Sequence, residues 1–254
     1  MAQEKTPTQR PHSTAPDKAA GRTVEPTSPS SRGEIDAFLQ KTRELAATRP
    51  AQTGRGRLVF ALDATMSRQP TWDTACAIQG DMFATTAAIG GLDVQLVYFR
   101  GMGECRASKW ASDANRLGGL MSRISCRGGH TQIRKVLNHT RNETHKRKVQ
   151  ALVYVGDCME ENADDLCALA GELGMLGVPA FVFQEGAEPT AEATFREIAR
   201  LTNGAFCRFS SGSAQELRDL LSAVATYAAG GREALEDLSR RGGAGARLLI
   251  GQMR

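Results

Sequence analysis

The stretch that decides the fold is Arg57-Leu58-Val59-Phe60-Ala61-Leu62-Asp63-Ala64-Thr65-Met66-Ser67-Arg68-Gln69-Pro70. From Leu58 to Leu62 it is continuously apolar, the pattern of a strand covered on both faces. The run then empties into a polar loop. There Asp63, Thr65 and Ser67, at alternate positions, can turn one carboxylate and two hydroxyls toward a single point. Hard cations such as Mg²⁺ take oxygen ligands of this kind. A ligand cluster just past the C-terminal end of a buried strand lies where open α/β sheets place their sites.

The same pattern recurs downstream. Val149 to Val155 is a second apolar run ending in a polar loop, Gly156-Asp157-Cys158. Shorter strands are expected over 93–99, 178–183 and 205–209, with a short edge partner in 104–108. Apolar residues at helical spacing predict helices over about 73–89, 115–124, 131–142, 162–176, 190–202 and 213–229. Asn203-Gly204 is a helix stop, and Ser213-Ala214-Gln215-Glu216 is a capping box. Strands and helices alternating at this spacing argue a doubly wound α/β domain, with a mostly parallel central sheet flanked by helices, over residues 55–229.

The flanks differ in composition. The first 32 residues hold five of the nine prolines and nine Ser or Thr. Apart from alanines their only apolar residues are Met1 and Val24. Such a segment buries too little surface to offset its ordering entropy, so residues 1–33 are expected to be a disordered tail. Ile35, Phe38, Leu39 and Leu45 then mark an amphipathic helix within 34–50, ending in a linker. Residues 230–254 form a Gly-rich extension, expected to be a loose tether with Leu248-Leu249-Ile250 as an apolar plug.

No apolar run approaches the ~20 residues that span a membrane, and the N-terminal residues lack a signal peptide's apolar core. A cytoplasmic protein with no membrane partner is the expectation. The six cysteines at 76, 105, 126, 158, 167 and 207 form no CxxC pair, so reduced thiols are expected rather than a disulfide framework or zinc knuckle. Cys158 reads as a small buried hydrophobe. The formal charge of +4 does not imply nucleic acid, but residues 123–148 carry eight Lys or Arg against Glu143 alone, a local +7. With no aromatic inside that segment to stack a base, a solvated helix face is the preferred reading and nucleic acid the rival.

Two further oxygens complete the opening cluster. Thr131 follows Gly128-Gly129-His130, a turn that lets backbone approach closely. Asp157 ends the second apolar run, and in a parallel sheet the two strands can be neighbours, so that Asp63 and Asp157 face one another. The set then holds three hydroxyls and two carboxylates around one ion. If a carboxylate binds through water, the ion keeps an open position for an external carboxylate.

The order DATMS, then GGHT, then YVGD resembles the metal-ion-dependent adhesion site (MIDAS) of von Willebrand factor A (VWA) domains. The family pattern is Asp-x-Ser-x-Ser, a distant Thr and an Asp at the end of the fourth strand. It maps onto Asp63, Thr65, Ser67, Thr131 and Asp157 over a resemblance spanning about 57–229. Thr65 stands where the pattern has Ser, keeping the hydroxyl and adding a methyl. The resemblance implies a Rossmann-like fold and a Mg²⁺ or Mn²⁺ module, not an enzyme, that captures an acidic residue of a protein partner. It also implies kinship with bacterial cytosolic members that work beside AAA+ ATPases. His130, next to Thr131, is the candidate partner contact. A metal-dependent hydrolase using the same ion is the alternative, disfavoured because position 65 is Thr and no Asp-x-Asp loop exists.

Overall fold

The computed structural model describes residues 55–72, 92–210 and 214–253. The tail expected over 1–33, the helix and linker of 34–50, the helix over 73–89 and the Ser213 cap lie outside the described residues.

Among the described residues six strands form one sheet: β1 (Gly56–Asp63), β2 (Leu92–Arg100), β3 (Glu104–Ala107), β4 (Ala151–Gly156), β5 (Ala180–Glu185) and β6 (Ala205–Phe209). Their order is β3-β2-β1-β4-β5-β6. All neighbours run parallel except β3, which pairs antiparallel with β2. This is the mostly parallel, doubly wound sheet expected. Every residue of β1 is buried, because the strand lies between β2 and β4 and has helices on both faces.

The helices are α1 (Ala114–Met121), α2 (Ile133–Lys146), α3 (Ala163–Met175), α4 (Pro189–Leu201), α5 (Ala214–Arg240) and α6 (Ala244–Ile250). Alternate residues of β1 feed two cores. Leu58, Phe60 and Leu62 pack with Leu217, Leu220, Leu221 and Val224 of α5. Val59 and Ala61 pack with Ile133, Val136 and Leu137 of α2, Leu166 and Leu173 of α3, and Phe195 of α4. At about 25 cal/mol per Å² of apolar surface removed from water, this two-sided burial is the main force holding the strand ends in register.

The C-terminal stretch departs from the expected tether. α5 runs through Gly230 and bends at Gly231, whose φ is 72°, and α6 then folds back onto it. Leu235, Ala246 and Leu249 are buried in the same core as β1. Leu249 acts as the plug while Leu248 is exposed. Gln252 Oε1 accepts from Phe206 N at 2.9 Å, satisfying a donor on edge strand β6.

The basic segment 123–148 is largely engaged within the chain. Arg141 pairs with Glu172, Arg134 with Asp165, and Lys146 with Glu143. Lys148 donates to the carbonyls of Leu176 and Gly177. Beneath α2, Glu143 also receives hydrogen bonds from Arg57 and Trp110, and the Arg57 guanidinium lies 3.7 Å from the Trp110 ring centre. No helix among the described residues is long and apolar enough to cross a membrane. The cysteines at 105, 158, 167 and 207 are free.

Candidate metal site at the strand switch point

β1 has β2 on one side and β4 on the other, so successive crossovers leave β1 in opposite directions. The crevice beyond the C-terminal ends of β1 and β4 is therefore the topological switch point of the sheet. Asp63 is the last residue of β1, and Asp157 follows the last residue of β4.

Asp63 is fully buried. Its Oδ1 accepts from Thr65 N at 2.7 Å, a turn that bends the chain back over the strand end. Its Oδ2 is buried with no hydrogen-bond partner. Thr65 Oγ1 lies 3.0 Å from Ser67 Oγ, so the two hydroxyls converge as the alternating pattern requires. Thr65 is buried, whereas Ser67 is exposed at the rim. Thr65 precedes a 3₁₀ turn, Met66–Thr71, in which buried Arg68 pairs with Glu185 at the end of β5. That ion pair anchors the loop to the far half of the sheet.

Asp157 is half-buried, and its Oδ1 is likewise buried without a partner. Carboxylate oxygens of Asp63 and Asp157 and the Cys158 sulfur all lie within 4.8 Å of one another. Burial pushes the Asp63 carboxyl up to about 6; hydrogen bonds from Thr65 oppose this, and the Asp157 charge adds to it. Burial and the same two carboxylates push the Cys158 thiol up to about 12. Behind them Tyr154 is buried and its hydroxyl has no hydrogen-bond partner. A Cβ on Gly156 would meet that hydroxyl at 2.4 Å, so only glycine fits between Tyr154 and Asp157.

Thr131 is tied to the loop that follows Asp157. Its N–H donates to Glu160 Oε2 at 2.8 Å, and its Oγ1 accepts from Glu160 N at 3.1 Å. The approach depends on Gly129, where an added Cβ would lie 2.0 Å from the Gly101 carbonyl oxygen. The loop is also sewn to the end of β1, since Arg127 N donates to Ala64 O at 3.1 Å. His130 is exposed, with Nδ1 3.4 Å from Glu160 Oε2.

The helix after this loop begins at Ile133 rather than at the expected 131. The N-cap position is Gln132, and its side chain makes no cap bond. Instead Glu161 reaches across, accepting from Ile133 N at 2.5 Å and Arg134 N at 2.9 Å. Glu160 and Glu161 precede the following helix: Asn162 is the N-cap of α3, accepting from Asp165 N. Cys158, expected to be a buried hydrophobe, is half-buried and faces the acidic pair.

These donors fit a divalent cation. Two carboxylate oxygens that face each other without hydrogen bonds cost free energy through desolvation and like-charge repulsion. A cation between them removes both penalties, and the Thr65 and Ser67 hydroxyls supply further neutral oxygens.

Solved structures share this architecture. An aerotolerance-related membrane protein from Bacteroides fragilis aligns with a TM-score of 0.51 at 20% identity, over 65% of this chain and 96% of its own. A von Willebrand factor type A protein from Catenulispora acidiphila aligns with a TM-score of 0.56 at 15% identity, over 68% of this chain and 43% of its own. The chain has the von Willebrand factor A fold. The von Willebrand factor domain of a type V pilus tip protein from Porphyromonas gingivalis gives a TM-score of 0.53 at 11% identity, over 69% of this chain and 95% of its own. No protein-family model matches the chain, and no curated protein does. The likeness to VWA structures is thus one of fold, and the functional reading rests on the residues at the switch point.

Proposed function

We propose that this VWA domain is a metal-dependent protein-binding module with an adaptor or assembly role in the cytoplasm. Asp63, Thr65, Ser67, Thr131 and Asp157 hold a divalent ion, Mg²⁺ or Mn²⁺, directly or through water. The ion keeps a position open to an acidic side chain of a protein partner, with His130 at the rim contacting the same partner. An AAA+ ATPase system is the class of partner that the resemblance favours. The observation that carries this reading is the pair of buried, unpartnered oxygens on Asp63 and Asp157. A buried carboxylate oxygen is normally hydrogen-bonded or ion-paired, and two unpartnered ones at a switch point favour a cation.

Binding rather than hydrolysis is favoured because position 65 is Thr, so that Asp63 opens no Asp-x-Asp loop. The basic segment that would favour nucleic acid is tied up in ion pairs and carbonyl contacts within the chain. The test is affinity capture with the full chain as bait, in Mg²⁺ and in EDTA. A partner retained in Mg²⁺, released by EDTA and lost with Asp63→Ala is the expected result. A partner retained equally in EDTA would contradict it.

A further inference from the structure

The donor set at the switch point contains one group that the oxygen pattern does not use. Cys158 sits directly after Asp157, with its sulfur within 4.8 Å of a carboxylate oxygen of both Asp63 and Asp157. In a tetrahedral Zn²⁺ site an oxygen and a sulfur ligand stand roughly 3.6 Å apart by the usual bond lengths. The three atoms are near enough to close on a single ion once side-chain rotation draws them together. The second, independent sign of a ligand is Asp63 itself, which is fully buried, gives a carboxylate oxygen to the group and leaves Oδ2 unpartnered.

We infer that the site also takes a thiophilic divalent cation of the Zn²⁺, Co²⁺ and Cd²⁺ class, with the Cys158 thiolate as a third protein ligand beside Asp63 and Asp157. The inference rests on the reading above, that the two aspartates hold an ion, and adds a second class of ion that they accept. Thiolate is a soft donor that favours Zn²⁺ and its analogues, whereas Mg²⁺ keeps to oxygen and water. Ligation replaces the S–H bond with an S–metal bond and releases the proton to water; no electron is transferred. Two carboxylates and a thiolate place three negative charges on the ion. With three protein ligands a four-coordinate ion keeps one position for water or a partner.

The position of Cys158 follows from the fold. Asn162 caps α3, so residues 157–161 form a short loop rather than helix, and the loop is held at Thr131 by Glu160 and at α2 by Glu161. Those bonds fix the path that presents the sulfur beside the carboxylates.

The test is titration of the full reduced chain with Cd²⁺ and Co²⁺, reading thiolate-to-metal charge-transfer absorption, beside a thermal melt in Mg²⁺. A one-to-one charge-transfer band is expected, absent in Cys158→Ser, with Cd²⁺ affinity lowered about tenfold or more. The Mg²⁺ shift in melting temperature should persist in Cys158→Ser, which also shows that the variant folds. Asp63→Ala in the same titration should weaken the band, giving a second readout that leaves Cys158 in place. A Mg²⁺ shift in the natural chain without a charge-transfer band overturns the inference and leaves the proposed function standing. A band that survives Cys158→Ser comes from another thiol and overturns it as well. No response to any of the ions overturns both.

Discussion

Asp63 ends β1 and Asp157 follows its parallel neighbour β4; each carries a buried, unpartnered carboxylate oxygen, and carboxylate oxygens of the two lie within 4.8 Å of one another. Two such groups side by side are unfavourable for the fold and favourable for a cation. The predictions follow from that opposition.

The first concerns stability without metal. Burial raises Asp63 to about 6 from an ordinary 3.8, so the folded chain holds a proton that the unfolded chain releases. Metal-free stability should therefore fall as pH rises from about 4 to about 6 and level off above that. A shift of this size corresponds to on the order of 3 kcal/mol. Asp63→Asn should flatten this slope and raise metal-free stability at pH 7. Urea melts of both chains in EDTA across this range check it.

Glu143 has the opposite sign. Burial raises its carboxyl, but hydrogen bonds from Lys146, Trp110 and Arg57 more than offset this and bring it to about 2 from an ordinary 4.5. Its contribution is present above about 4.5 and is lost as pH falls toward 2. Glu143→Ala leaves the buried Arg57 guanidinium without its carboxylate and should cost about 3 kcal/mol or more at pH 7. Chemical denaturation measures this directly.

Gly129→Ala tests the loop that carries His130 and Thr131. The new Cβ would meet the Gly101 backbone, which cannot swing aside as a flexible side chain could. A loss of about 1–3 kcal/mol is expected. Because Thr131 moves with the loop, the metal response should weaken too, which separates this variant from a purely structural lesion.

Glu161→Ala removes the acceptor for two first-turn amides of α2. The expected cost is about 1–2 kcal/mol, the usual range for losing a helix cap. Hydrogen exchange should show faster opening at Ile133 and Arg134 than at Val136 and Leu137.

Much of this was legible in the chain itself. The strand-and-helix alternation depends on short-range periodicity, so the apolar runs at 58–62 and 149–155 marked β1 and β4 within two residues at either end. The opening triad was legible because a turn that places Asp63, Thr65 and Ser67 together spans only five residues. What the chain concealed depends on long-range contact. Gly231 does interrupt the helix, but the residues beyond it are no loose tether, because Leu235 and Ala246 are buried in the core. Glu160 and Glu161 sit one turn short of their own helix, and only the path of the loop turns them toward Thr131 and α2. Cys158 is invisible as a ligand until β1 and β4 are placed side by side.

The measurement that bears most directly on the central claim is a thermal melt of the full chain at pH 7 in EDTA, Mg²⁺ and Mn²⁺, beside Asp63→Ala. Saturation at 100 times the dissociation constant adds about 2.7 kcal/mol, a rise of several degrees for a domain of this size. The account predicts that rise in the natural chain and its absence in the folded Asp63→Ala variant. Equal melting temperatures with and without divalent ions, or the same rise in Asp63→Ala, would contradict it.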